Sequence, residues 1–353
     1  MDVLSSMHIE SSEVIQLGKR MFKTVLIALC MLLLILDAKT AATGAVDAIQ
    51  LCIRVLIPSL FPFFLISILL TDLLVGTSSV LRPLGKLLKI PAGAEPLFLI
   101  GMVGGYPVGA QVISQATEKG VLTKRDASRM LQFCNNPGPA FLFGIISPYF
   151  PCTMYTWIIW LIIILSAILT AIILPGGSNK NVTIPSVKTL TITQAMEKSL
   201  KVMACICGWV VIFRVILVFF ERWFLWMLPD VSRILFQIFL ELANGSSVLN
   251  EINNVSLRFI VSIAGLTIGG LCVLLQTQSV CATLGIRKYI YGKLLQTGIG
   301  ITMGIPAAFL LKNGISPIIL TGILSSFIPT LIILSNYHKK SKTKCRIRVS
   351  GSV

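Results

Sequence analysis

The chain has 353 residues, of which 55% are apolar and only 12% charged, with a mean hydropathy of +0.88. Its 30 Lys and Arg and 14 Asp and Glu are too few to coat a water-soluble globule of this length, and they sit between long apolar runs. That excludes a pair of soluble domains and predicts an all-α polytopic membrane protein; the net charge of +16 has no soluble basic face, so no nucleic-acid partner is expected and the cations read as topology signals that also touch membrane lipid.

In chain order, Lys19, Arg20 and Lys23 precede an apolar stretch from Thr24 to Leu36. A retained first helix fits this better than a signal peptide cleaved near Ala41 and Ala42, because the leader is long and many apolar runs follow. Residues 1–45 are thus leader and first helix. A second run from Ala48 to Val75 opens a first membrane repeat, 46–174, and carries Pro58 and Pro62, which predict a kink. Residues 76–95 mix Arg82, Lys86 and Lys89 with leucines, as an interfacial helix would. The next segment, 97–116, has Gly104, Gly105, Tyr106, Pro107 and Gly109 at its centre, so a re-entrant hairpin or broken helix is expected. A basic stretch, 119–133, leads to Asn135, Asn136, Pro137, Gly138 and Pro139, which again forbid a regular helix. A clean span follows from Cys152 to Leu174, then a polar linker at 175–198.

The second repeat, 199–335, comprises a span from Val202 to Phe220, a broken segment at 223–249, a run from Leu257 to Gln276, and two last spans near 294–311 and 315–335. A basic tail, 336–353, closes the chain. In all, about eight spans plus re-entrant pieces are expected. GGYPVGAQ and GGLCVLLQ share their glycines and glutamine: Gly104, Gly105 and Gln111 recur as Gly269, Gly270 and Gln276. Paired interruptions in two halves point to a transporter's central site, because unwound backbone in lipid needs partners. Counting Lys and Arg puts both termini and the linker on the cytoplasmic side, whereas a strict inverted repeat would place 285–293 or the tail outside.

The candidate residues lie at or near the breaks. Gly104 to Gln111 could present free N–H groups and an amide to a carboxylate, or could be close packing through small residues. Asn135 and Asn136 could bind a solute or cap the helix starting near Pro139. Glu241, beside Asn244 in ELANG, could hold a coupling proton or sit at an interface, and Arg214, deep in an apolar run, is a candidate counter-ion for an anion. Arg54 lies near a helix end and can snorkel. Enzymatic parts are missing: the sequence has no GxxxxGK[ST], GxSxG or HExxH, and neither His8 nor His338 has a positioned carboxylate. Its nine Cys include no CxxC, so neither a metal site nor any cofactor is expected.

The blocks IPSLFPFF, GGYPVGAQ, FCNNPGPAFLFG, ELANG and GGLCVLLQ together resemble the sporulation integral membrane protein family usually called YlbJ or stage V sporulation protein V, in the nucleoside-recognition, or Gate-domain, group. The resemblance covers roughly residues 45 to 335. It implies a role in endospore formation, in a cell membrane such as that surrounding the forespore, moving the small anionic solute dipicolinic acid. Other sporulation membrane proteins or further copies of the chain are the implied partners. The alternative is a non-transporting membrane component needed for spore envelope assembly or maturation.

Overall fold

Lipid cannot hydrogen-bond a backbone, so a chain this apolar must satisfy its amides within each segment. Accordingly, the computed structural model describes residues 2–75, 80–177 and 190–327, and no β-strand occurs among them. The protein is an all-α polytopic membrane protein. Five helical stretches among the described residues are long and apolar enough to cross a membrane: Ala38–Thr71, Thr153–Ile173, Ile192–Trp223, Val255–Val280 and Ile286–Lys312. Between and within them lie shorter, interrupted pieces.

Helix α1 (Asp2–Leu36) carries the expected Thr24–Leu36 stretch, and its side chains from Met21 to Leu36 are exposed. Helices α2 (Ala38–Leu51) and α3 (Ile57–Leu74) form one continuous rod that crosses the boundary expected at residues 45 and 46. Pro58 is absorbed without a break, because the turn before it, Cys52–Leu56, widens to π geometry. The Ser59 hydroxyl then donates to the Val55 carbonyl at 2.6 Å. Arg54 in that wide turn is exposed.

Helix α4 (Arg82–Leu88) forms within the stretch 76–95; Leu87 and Leu88 are buried, and Arg82 pairs at 2.7 Å with Glu95, itself 1% exposed. Helices α5 (Glu95–Gly104) and α6 (Val108–Glu118) are separated at Gly105–Pro107, as the sequence predicts. Helix α7 (Lys124–Cys134) gives way to extended chain at Asn135–Gly138, and α8 starts at Pro139, where a missing N–H costs nothing. Helix α9 (Thr153–Ile173) matches the clean span.

Helix α10 (Ile192–Trp223) begins inside the stretch read as linker, because Thr191 and Gln194 close a capping box on its first turn. Most of the remaining linker lies outside the described residues. Helices α11 (Asp230–Leu240) and α12 (Leu242–Ser247) meet at Glu241, and α13 (Val255–Ile268) and α14 (Gly270–Val280) meet at Gly269. Helix α15 (Ile286–Lys312) is followed by α16 (Pro317–Phe327); the rest of the last expected span and the basic tail lie outside the described residues.

Two layers of packing place the breaks. Helix α10 lies along α2 and α3, while α15 lies along α13, α9 and α7. The order long helix, split, split, long helix occurs in α2–α9 and again in α10–α15. By that order the break at Gly105 corresponds to the one at Glu241, not to the one at Gly269 that the GG match in the sequence pairs it with.

Candidate functional site

The sequence marks the four breaks one by one, and the fold brings them together. The first and second touch through backbone: at Gly105 an added Cβ would stand 2.8 Å from the Gly138 nitrogen. The third and fourth touch likewise, with an added Cβ at Gly270 2.7 Å from the Ile238 carbonyl oxygen. Tyr106 links the pairs, its hydroxyl donating at 3.1 Å to the Leu266 carbonyl in the last turns before Gly269. The Leu266 carbonyl thus takes a partner from another break, which is one way unwound chain survives at membrane depth.

Three of the four breaks, together with the helix that follows the fourth, line a cavity of about 40 Å³. Gly105, Tyr106, Pro137, Gly138, Glu241 and Ala243 face it from the first three breaks, Gln276 from α14, and Leu60 and Val210 from the long helices α3 and α10. That volume holds a few waters at most and no organic acid, so in this sense the centre is closed to cargo.

Glu241 is the ionisable group facing this cavity, and it is 2% exposed. It ends α11 and caps α12. Its carboxylate accepts from the Ala243 N–H at 3.0 Å, from the Asn244 N–H at 2.6 Å and from Asn244 Nδ2 at 2.6 Å. The unpaired N–H groups and partial positive charge at the start of α12 are therefore taken up by the protein's own carboxylate rather than left for a solute.

Several sequence candidates stand elsewhere. Arg214 does not face the cavity: its guanidinium donates at 2.8 Å to Glu221 and at 3.3 Å to Asp47, which neutralises it and pins α10 to α2. Gln111 lines a separate crevice of about 310 Å³ with Ser114, Glu118, Lys198 and Lys201, and its Oε1 has no hydrogen-bond partner. The reason is helical geometry. Gly109 packs on the Cys134 carbonyl, and a residue two further on points about 200° away from it. Gly104 is buried at the end of α5, and Pro107 caps α6. Gln276 does reach the cavity and donates to the Cys272 sulfur at 3.2 Å. Gly269 and Gly270 shape the fourth break with φ of 79° and 76°.

Asn135 and Asn136 turn away from the cavity and are fully buried. Asn135 Nδ2 donates to Thr277 Oγ1 at 3.0 Å and to Tyr289 Oη at 3.1 Å, while its Oδ1 accepts from the Ala110 N–H at 3.3 Å. They staple the second break to its neighbours. Asn136 Oδ1 accepts from Lys293 Nζ at 2.9 Å and Gln296 Nε2 at 2.7 Å. Sequence reasoning missed Lys293 because it borders an apolar run, as a topology lysine does. The signal was present in the spacing: Tyr289, Lys293 and Gln296 fall four and three apart, on one face of α15.

These elements define the class: an all-α membrane protein whose four interrupted helices line one small cavity. A stretch of 102 residues, 27% of the chain, is 29% identical to the sporulation integral membrane protein YlbJ of Bacillus subtilis (strain 168). The match spans 24% of that relative's length. Neither a family model nor a solved structure matches the chain.

Proposed function

We propose that this protein is a transporter or facilitator of a small polar solute, working during sporulation and carrying an anionic aromatic acid of the dipicolinic type. The observation that carries the reading is the convergence of three chain breaks, with α14 beside them, on one cavity holding a buried carboxylate. A single break can be a packing device; three that share a cavity make a place where the protein can exchange its own hydrogen bonds for those of a cargo. The setting comes from the name of the sporulation relative and the cargo from the family resemblance carried by the sequence blocks.

The closed centre is too small for such a cargo, so binding requires the break pairs to move apart. Leu60 and Val210 then offer an apolar wall to a ring, and the freed N–H groups near Gly105 and Gly138 face its carboxylates. Glu241 would repel an anion while ionised. Once protonated, it donates a hydrogen bond to a cargo carboxylate, so cargo and proton move together. Arg214, spent on Asp47 and Glu221, has no part in this scheme.

Uptake of labelled dipicolinate into proteoliposomes tests it. With the wild type, a pH gradient drives accumulation. Glu241→Gln is expected to lose nearly all of that accumulation while keeping solute exchange across the membrane, since a permanently neutral side chain can hold cargo without returning a proton. Arg214→Gln is expected to transport at close to the wild-type rate if it inserts normally. Wild-type protein that moves no small acid, in cells whose sporulation still needs it, defeats the transport reading in favour of envelope assembly.

A further inference from the structure

Lys293 is 2% exposed in the middle of the protein, and no carboxylate pairs with it among the described residues. A buried ammonium without a counter-charge is costly, so its surroundings must replace its water almost completely. Here the substitutes are neutral oxygens and aromatic faces. Nζ donates at 2.9 Å to Asn136 Oδ1 and at 2.9 Å to Gln296 Oε1, and it stands 5.1 Å from the Tyr106 ring centroid and 5.9 Å from that of Tyr289.

Both amide oxygens are aimed in advance. Asn136 Nδ2 is held by the Phe133 carbonyl at 2.7 Å, which turns Oδ1 toward α15. Gln296 Nε2 donates to that same Oδ1 and lies 3.4 Å from both the Ile163 carbonyl and Ser166 Oγ, which turns its Oε1 toward Nζ. Fixed amide oxygens and π faces around one unit charge are what a dehydrated monovalent cation requires. The location is equally specific. Tyr106 belongs to the first break, Asn136 to the second, and Lys293 to α15, which packs on both halves.

We propose that the Lys293 ammonium is a tethered monovalent cation: it occupies a built cation site between the first two chain breaks and locks them closed, so the closed centre needs no free Na⁺ or K⁺. The charge is carried by the chain and cannot leave with a cargo. The inference concerns the force that holds the breaks together and stands whether or not any solute passes between them.

Thermal melting of the purified full chain in detergent tests it, at constant ionic strength in chloride salts of Na⁺, K⁺, methylammonium and the bulky cation N-methylglucamine. Wild-type protein is expected to melt at one temperature in all four. A saturable rise with Na⁺ or K⁺ overturns the proposal, because a free cation would then complete the closed state. Lys293→Ala is expected to melt several degrees lower in N-methylglucamine and to recover part of the loss with methylammonium, which fits the space vacated by the ammonium. Equal melting of Lys293→Ala in all four salts also overturns it. Lys293→Met keeps the stem without the charge; the proposal expects a lower melting temperature, and a variant as stable as wild type refutes it. The wild-type comparison can still overturn the proposal where neither variant can be purified.

Discussion

Gly105→Ala is expected to destabilise the protein by on the order of 3 kcal/mol and to lower its melting temperature more than Gly138→Ala does. Two independent costs meet at this residue. Its backbone lies at φ 84°, ψ −174°, a region that L side chains rarely adopt. Its missing Cβ would also stand 2.8 Å from the Gly138 nitrogen, and that neighbour is backbone held by Pro137 and Pro139 on either side, so it cannot move aside. Gly138→Ala separates the two costs: its φ of −88° is ordinary, whereas its Cβ would press on the Val103 carbonyl at 2.7 Å. It should therefore lose less than Gly105→Ala. Gly298→Ala is the control, because nothing lies within 4 Å of its Cβ and it sits inside α15; there a gain of about 0.5–1 kcal/mol is expected. Melting of the three variants in one detergent checks the order, and a Gly105→Ala protein as stable as Gly138→Ala would remove the conformational half of the argument.

The same glycines explain how much the sequence reveals. A helix break is a local event, written in residues that cannot sustain a helix, so GGYP, CNNPGP and the GG at 269–270 are readable without coordinates. The α9 span is readable for a similar reason, since a long apolar run bounded by polar residues specifies its own length. Where the breaks go is a different matter. Positions that face lipid and positions that face protein are both apolar, so periodicity does not say which faces pair. Hence Arg214 reads as a counter-ion for an anion, although Glu221 two turns on in its own helix and Asp47 of α2 both reach it. Hence also Gln111, which the repeat placed at the centre, faces the side crevice once Gly109 has chosen the packed side of α6. Glu241 was legible as an acid beside a break; that it spends its oxygens on α12 depends on local geometry that only the structure supplies.

Arg129→Ala is the second large loss expected, on the order of 4 kcal/mol, and it falls outside the cavity. The residue is 6% exposed and donates from Nη1 to the Leu88 carbonyl at 3.0 Å and the Lys89 carbonyl at 3.2 Å, and from Nη2 to the Ala171 carbonyl at 2.6 Å. One guanidinium thus closes the carboxyl-terminal ends of α4 and α9, where carbonyls lack helical partners and partial negative charge accumulates. Removing it strands three buried carbonyls at once, and charge-assisted bonds of this kind are each worth about 1.5–3 kcal/mol. Lysine has one donor head in place of a planar fork, so Arg129→Lys should recover one helix end and no more. Lys89→Ala removes a neighbouring contact, from Nζ to the Ile172 carbonyl at 3.0 Å, from a less buried side chain and should cost much less. If the two cations cap α9 together, the double variant loses more than the sum of the single losses, because the second removal leaves that end with no cation at all. Because α9 packs against α15, loosening its end should also weaken the hold of Gln296 on the Ile163 carbonyl and Ser166. An Arg129→Ala protein that melts with the wild type would show that water, not the guanidinium, satisfies those carbonyls.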